Sequence, residues 1–138
     1  MSGPKRRGVV AVIVREGRFL VIRRSALVRA PGMLCFPGGA IEEGESEPAA
    51  LCRELQEELS LTVRPKRRLW RSVTPWQVEL AWWLAEVDDP QPPQPNPQEV
   101  AEVFWLTAAE ILQAQDVLPS NVQFLAAWQA GQIELECV

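Results

Sequence analysis

The sequence predicts an α/β fold: one mixed β-sheet layer with helices packed on both of its faces. Three observations predict it. The chain has 138 residues, enough for one buried core and too few for two. Short apolar runs of strand length are interspersed with capped segments of helical period. The two kinds alternate irregularly and show no internal repeat, which argues against a regularly wound parallel sheet. Residues 1–138 are expected to form a single domain.

Val9–Val14 is a continuous apolar run too short for a helix and reads as a fully buried strand. Arg15-Glu16-Gly17-Arg18 is a turn, and Phe19–Ile22 is the second arm of a hairpin. Ser25–Gly32 is a loop closed by Pro31-Gly32. Leu34–Phe36 is a short extended piece that stops at Pro37-Gly38-Gly39, where the backbone needs freedom. Ser46 is an N-cap, Pro48 lies in the first turn, and the helix runs to about Leu59. Leu61–Val63 and Leu69–Val73 are extended, separated by Pro65 and a basic cluster. Trp76–Val87 reads as a long strand with Glu79 and Glu86 facing out. Asp89–Pro97 holds five prolines in nine residues and is neither helix nor central strand, so it is a connector within the domain. Val100–Leu106 is a strand, and Thr107 caps a short helix to Gln113. Ser120 or Asn121 starts a last helix to Gln129, which Gly131 ends. Ile133–Val138 is left as a tail or final strand.

The composition excludes whole classes of chemistry. There is no His and no Tyr, so His-dependent triads, His-ligated zinc and a tyrosine acid are ruled out. Acid–base or metal chemistry must use carboxylates, and hard oxygen ligands point to Mg²⁺ or Mn²⁺. Cys35, Cys52 and Cys137 are odd in number and lack metal-ligand spacing, which suits free thiols in a reduced, cytoplasmic protein. The longest apolar runs are strand-sized, so no membrane association is expected. The basic start, Met1 to Gly8, precedes too short an apolar run for a signal peptide.

A net charge of −4 conceals an asymmetry: the last basic residue is Arg71, and only acids follow. Such segregation fits an anionic ligand held between basic side chains and a carboxylate-bound cation. It equally fits solvated strand edges and turns, the reading favoured for Lys66–Arg68.

The sharpest local signal is Arg53-Glu54-Leu55-Gln56-Glu57-Glu58-Leu59. Helical spacing puts Glu54, Glu57 and Glu58 on one face, beside a stripe of Leu51, Leu55 and Leu59 that can anchor the helix to a sheet. An acidic face of this kind is either merely solvated or a divalent-cation site. Its position after a Gly-Gly loop and a cap shifts the balance to the cation site.

With these residues in place, Gly39-x5-Glu45-x7-Arg53-Glu54-Leu55-x-Glu57-Glu58-x-Ser60-Leu61 resembles the Nudix box, G-x5-E-x7-R-E-U-x-E-E-x-G-U, where U is bulky and aliphatic. Ser60 is the one departure, standing where the family has glycine. It follows the helix, where a left-handed conformation is common, and is expected to affect stability and not to remove a ligand.

The resemblance implies an α/β/α sandwich with a curved mixed sheet between helices, and hydrolysis of a diphosphate linkage with Mg²⁺ or Mn²⁺. It implies metal ligation by Glu57 and Glu58, with Glu54 as a further ligand or the base, and by a carbonyl at Gly38 or Gly39. Arg53 would orient the glutamates, Glu45 would fix Arg53, and Glu99 would join as ligand or base. Gly39 and one of Arg23 and Arg24, by analogy Arg24, would contact substrate, unless both arginines are exposed strand-end charges. Leu118-Pro119-Ser120-Asn121 resembles the element with which MutT-type members read a purine edge through Asn, here Asn121; the alternative is a helix cap. Trp76, Trp82 and Phe36 are stacking surface or core.

The substrate implied is a nucleotide-type small molecule. A MutT-like pyrophosphohydrolase of nucleoside triphosphates leads, with oxidised purine nucleotides as candidates and a nucleoside monophosphate and pyrophosphate as products. ADP-ribose, nucleotide-sugar or RNA-cap cleavage is the alternative on the same site. A Nudix-fold binding module without catalysis is the alternative from another class, and the intact acids of the box argue against it. No stable nucleic-acid partner is expected, and the chain is expected to be a monomer or homodimer.

Overall fold

A computed structural model of the chain describes residues 6–88 and 92–135. Cys137, the end of the C-terminal tail and the start of the proline-rich connector lie outside them. The elements are β1 (Arg6–Val12), β2 (Val14–Arg15), β3 (Arg18–Arg24), β4 (Leu34–Cys35), β5 (Gly38–Ala40), α1 (Glu47–Leu59), β6 (Arg64–Val73), β7 (Val78–Glu86), β8 (Val100–Leu106), α2 (Ala108–Gln113) and α3 (Pro119–Gln129).

The strands form two four-stranded sheets. One has the order β5-β1-β7-β6, with β1 and β7 parallel and its other pairs antiparallel. In the other, β3 pairs with β2, β4 and β8. Period-two alternation then distributes the core over two faces. Val9, Ala11, Ile13, Leu20 and Ile22 pack with Leu51, Leu55 and Leu59 of α1. Val10, Val12, Phe19 and Val21 pack with Trp82 and with Phe124 and Leu125 of α3. Trp82 is fully buried and stacks on Phe124 at 4.8 Å between ring centroids. Trp82 and Phe36 are therefore core, while Trp76 is exposed on the turn between β6 and β7.

Three local expectations are corrected. The apolar run Val9–Val14 is not one arm of a simple hairpin. Val14 and Arg15 pair back on Phe19 and Arg18, and the Ile13 carbonyl accepts from the Leu20 amide, across a turn in which Glu16 and Gly17 both have positive φ. Val9 to Val12 pair with β7, and Val9 and Val10 with β5 as well, because residues buried on both faces need a central position. Nor does the chain leave the sheet at Pro37-Gly38-Gly39. Gly38 to Ala40 pair with Val10 to Gly8, and a Cβ on Gly38 would lie 2.1 Å from the Val9 carbonyl oxygen, so this approach requires glycine. Finally, the basic cluster does not interrupt a strand. β6 runs through Pro65 and Lys66 to Arg68 with two register shifts, as an edge strand where a proline costs no ladder bond. Its charges suit an exposed edge.

Of those charges Arg64, Arg68 and Arg71 form ion pairs. Glu47, in the first turn of α1, accepts from Arg7 at 3.1 Å, Arg71 at 3.0 Å and the Trp83 indole at 2.8 Å, with Arg68 at 3.7 Å. Burial pushes its pKa up, but the indole bond and the three guanidinium groups together hold it below the usual carboxylate value. Arg71 also bonds Glu79, which is thus half-buried and engaged, while Glu86 is exposed and paired with Arg64.

Both ends of α1 are built as expected. The Ser46 hydroxyl accepts from the Ala49 amide at 3.2 Å, with Pro48 in the first turn. Ser60 adopts φ 53°, ψ 36°, its N–H donating to Gln56 O, and Leu61 N–H donates to Leu55 O. Thr107 and Glu110 close a reciprocal capping box on α2. At α3, by contrast, neither Ser120 nor Asn121 is the cap. Leu118 holds that place without a side-chain bond, and Pro119, which lacks an amide hydrogen, opens the helix.

Since the left-handed conformation costs an L-residue about 1–2 kcal/mol and glycine recovers part of it, Ser60→Gly is expected to raise stability by about 0.5–1 kcal/mol. A shift of the urea midpoint without a change of slope would show it; an unchanged midpoint would mean that Ser60 is unstrained.

Candidate active site

The leucine stripe that docks α1 decides how deeply each glutamate is buried. Leu51, Leu55 and Leu59 are fully buried. Glu54 and Glu58, adjacent to the stripe, are carried against β5 and are only 9% and 6% exposed. Glu57 lies one step further round, with a side chain 48% exposed. Glycine makes this fit possible: a Cβ on Gly39 would stand 2.4 Å from the Glu54 carboxyl carbon. The Gly38 amide donates to Glu58 at 3.0 Å.

Arg53 organises the exposed side of this face. Its guanidinium donates to both oxygens of Glu45 at 2.7 and 2.9 Å, to Glu54 at 3.0 Å, to Glu57 at 3.2 Å and to the Ala40 carbonyl at 2.8 Å. These bonds raise the pKa of Arg53 further. The same guanidinium and the Glu42 backbone hold Glu45 down at about 2.

Glu99 enters from the turn before β8, and its Oε2 is buried without a hydrogen-bond partner. Arg24, at the end of β3, lies beside the start of β8, paired with Val100. It donates to the Arg29 carbonyl at 2.6 Å and reaches the Cys35 sulfur at 3.8 Å. It makes no ion pair among the described residues. Together Arg24, Val28, Gly38, Gly39, Ala40, Glu54, Glu58 and Glu99 line a pocket of about 210 Å³. A wider groove of about 480 Å³ between β6 and α3, along Trp70, Ala126 and Ala130, contains no carboxylate, so the chemistry belongs to the smaller pocket.

Burial raises Glu54 to about 7, the Glu57 and Glu99 charges adding to it while Arg53 opposes it. Burial raises Glu58 to about 8, with the Glu54 and Glu99 charges adding while the Gly38 amide and Arg24 oppose it. Among the described residues no three acidic or thiol side chains already form a closed cage for a metal ion. Glu54 and Glu57 are turned to Arg53 and Glu58 to Gly38. The donor set nevertheless fits a hard divalent cation: buried like charges, an unpartnered carboxylate oxygen and oxygen atoms only.

The other sequence candidates separate. Arg23 is taken up by Asp116 at 2.6 Å, the Gly32 carbonyl at 2.8 Å and Glu102 at 3.3 Å, and it covers the Phe104 ring. Asn121 is 4% exposed; its Oδ1 accepts from the buried Phe36 amide at 2.9 Å and its Nδ2 donates to Ser120 at 3.3 Å. It therefore ties α3 to the segment leading into Gly38. Two residues around the site escaped the sequence reading. Buried Ser25 donates to the Gln98 carbonyl, and Asn96 opens the turn that carries Glu99. The dipeptide Asn96-Pro97 is a turn signal that could have drawn attention to the second.

Chains of known kind carry the same architecture. The NUDIX domain family matches residues 4–128, so this chain belongs to the Nudix family. It is a Nudix hydrolase, and its substrates are nucleoside diphosphate derivatives. It is 28% identical to phosphatase NudJ of Escherichia coli K12 over 129 residues, covering 90% of this chain and 83% of that protein. The E. coli ORF135 protein is 27% identical, with a TM-score of 0.72 over 91% of this chain and 89% of that one. The MutT protein of Methanosarcina mazei Go1 shares the fold with a TM-score of 0.79 at 23% identity, over 95% and 97% of the two chains. No helix among the described residues is long and apolar enough to cross a membrane.

Two outcomes are expected from this geometry. Because Glu54 and Glu58 titrate near 7 and 8 when folded and near 4.5 otherwise, the folded protein binds more protons than the unfolded chain between pH 4.5 and 8. Stability in metal-free buffer should thus fall as pH rises through that window. Glu45 acts oppositely: its contribution is present above about pH 4.5 and is lost as pH falls towards 2. Urea titrations at pH 5.5 and 8.5 should show the lower stability at 8.5, and Glu58→Gln should narrow the difference; equal stabilities would refute the raised values. Asn121→Ala, leaving the Phe36 amide buried and unpaired, should cost about 1–3 kcal/mol in the same titration.

Proposed function

We propose that residues 1–138 act as one MutT-like, Mg²⁺-dependent domain that converts a nucleoside triphosphate and water into a nucleoside monophosphate and pyrophosphate. Oxidised purine nucleotides are candidate substrates. The supporting observation is the pocket of about 210 Å³ that Glu54, Glu58 and Glu99 line together with Arg24.

In this reading Glu57, Glu58, Glu99 and the Gly38 carbonyl would hold Mg²⁺, or Mn²⁺ in its place. Such a cation would supply positive charge to the diphosphate oxygens and lower the pKa of a bound water. Arg24, in the lining of the same pocket, binds the phosphate oxygens, and Gly39 lets them approach the backbone closely. Glu54, held by Arg53 above Gly39, takes the proton of the attacking water as its oxygen bonds to phosphorus. The bridging oxygen leaves with pyrophosphate. Glu45 keeps Arg53 in place. Arg23 has no substrate role here, since its donors are engaged by Asp116, Glu102 and Gly32. A base-reading role for Asn121 requires its bond to Phe36 to open and exchange for the nucleobase.

A second reading, release of orthophosphate by attack at the terminal phosphorus, is favoured by one observation: the NudJ relative is named a phosphatase. Product analysis on a panel of nucleoside triphosphates, nucleotide sugars and ADP-ribose with Mg²⁺ separates the readings. Pyrophosphate is expected from triphosphates, and Glu57→Gln or Glu58→Gln should reduce turnover by about 100-fold or more. Orthophosphate as the sole product would select the second reading, and cleavage of ADP-ribose alone would reject both.

A further inference from the structure

Beyond the residues of the box, we propose that Asn96 is a positioning residue that sets the spacing between the glutamates of α1 and Glu99. The inference rests on the reading of Glu99 as a metal ligand.

Four carbonyls at the C-terminal end of any α-helix lack intrahelical partners. Here the proline-rich connector supplies donors for the last of them. Gln94 N–H donates to Leu59 O at 2.8 Å and Asn96 N–H donates to Glu58 O at 2.8 Å. The Asn96 side-chain amide reaches Glu57 O at 3.4 Å. Asn96 is thereby tied to the backbone of both helix residues that carry ligand carboxylates.

The same residue builds the turn that delivers Glu99. In Asn96-Pro97-Gln98-Glu99 the Asn96 carbonyl accepts from the amides of Glu99 at 2.9 Å and Val100 at 2.8 Å. Its Oδ1 accepts from the Gln98 amide at 3.1 Å. Asparagine at the first position and proline at the second suit such a turn, the side chain mimicking a backbone acceptor. Ser25 closes the turn from the opposite side, its amide donating to Glu99 O at 3.0 Å and its hydroxyl to Gln98 O at 2.8 Å.

Two of the three proposed carboxylate ligands come from a helix and the third from a loop separated from it by some forty residues of sequence. The sheet holds each part separately, α1 against β1 and β5 and the Glu99 turn beside the end of β3. Asn96 joins the two directly, because its main chain and side chain each bond to both parts. Loss of its side chain leaves the three main-chain bonds but frees the Gln98 amide and loosens the turn.

The test is Mn²⁺ binding to the full chain, measured by calorimetry without substrate, together with the melting temperature of the metal-free protein. Glu99→Gln should weaken Mn²⁺ binding, and Asn96→Ala should raise the Kd by about tenfold, the scale for residues that orient metal ligands. Asn96→Ser, whose hydroxyl can still accept from the Gln98 amide, should recover most of that loss. In the double variant Asn96→Ala/Glu99→Gln the two effects should fall short of their sum, since they act through one carboxylate. An unchanged Kd in Asn96→Ala and in Asn96→Ser, with Glu99→Gln still impaired, overturns the inference while the ligand reading stands. A lowered melting temperature with unaltered Kd in both variants has the same meaning, a structural role only. Full additivity also overturns it. If Glu99→Gln binds Mn²⁺ as tightly as the wild type, the ligand reading itself fails and the inference falls with it.

Discussion

The close approach of α1 to β5 is the constraint on which the rest of the site depends. A stripe of leucines pulls the helix onto the sheet, and Gly39 leaves room for the Glu54 carboxylate, so that Glu54 and Glu58 are buried with the helix. Burying carboxylates is unfavourable, by several kcal/mol for an isolated charge. The surrounding groups offset this in different ways. Arg53 and the Gly38 amide bond the two carboxylates directly, while the nearby Arg24 adds positive charge that favours ionised Glu58. What remains uncompensated is expressed as raised pKa values at Glu54 and Glu58 and as an unpartnered oxygen on Glu99. An acidic, partly frustrated pocket of this kind is suited to exchange protein contacts for a cation and a phosphate chain.

The segregation of charge along the sequence has its counterpart in two hubs rather than one continuous basic surface. Glu47 gathers Arg7, Arg68 and Arg71 at the first turn of α1, pinning the helix to β1 and β6. Arg53 gathers Glu45, Glu54 and Glu57 one to two turns later. The helix is thus anchored at its start by a carboxylate among arginines and ordered in its middle by an arginine among carboxylates. Arg24, without an acidic partner among the described residues, is the cation left to face the pocket.

Much of this was legible locally. The cap at Ser46, the helix to Leu59, the strand Val100–Leu106 and the Thr107 cap follow from short-range rules and agree with the structure to within a residue. So does the left-handed Ser60, whose position after the helix demands it. Less was legible where partners lie far apart in sequence. Short-range rules make the run from Val9 a hairpin arm, because its nearest neighbour in sequence is another strand. Its main partner is β7, some seventy residues on, since a strand buried on both faces gains most at the centre of a sheet. The same rules make the basic cluster a break, because a proline stands beside it, and only an edge position makes that proline harmless. Asn121 looked like a cap or a ligand reader, and the structure gives its amide to the Phe36 backbone.

By itself, then, the sequence determined the helix, the acids it presents on one face, and the restriction to carboxylate chemistry that follows from having neither His nor Tyr. Those properties depend on residue type and on the 3.6-residue period, which are local. The tertiary structure alone decided which acids are buried, and it brings Arg24 and Glu99, which only the family resemblance had suggested, into one pocket with them. Burial, pKa and the meeting of distant carboxylates arise from the packing of separate segments, and no local spacing encodes that.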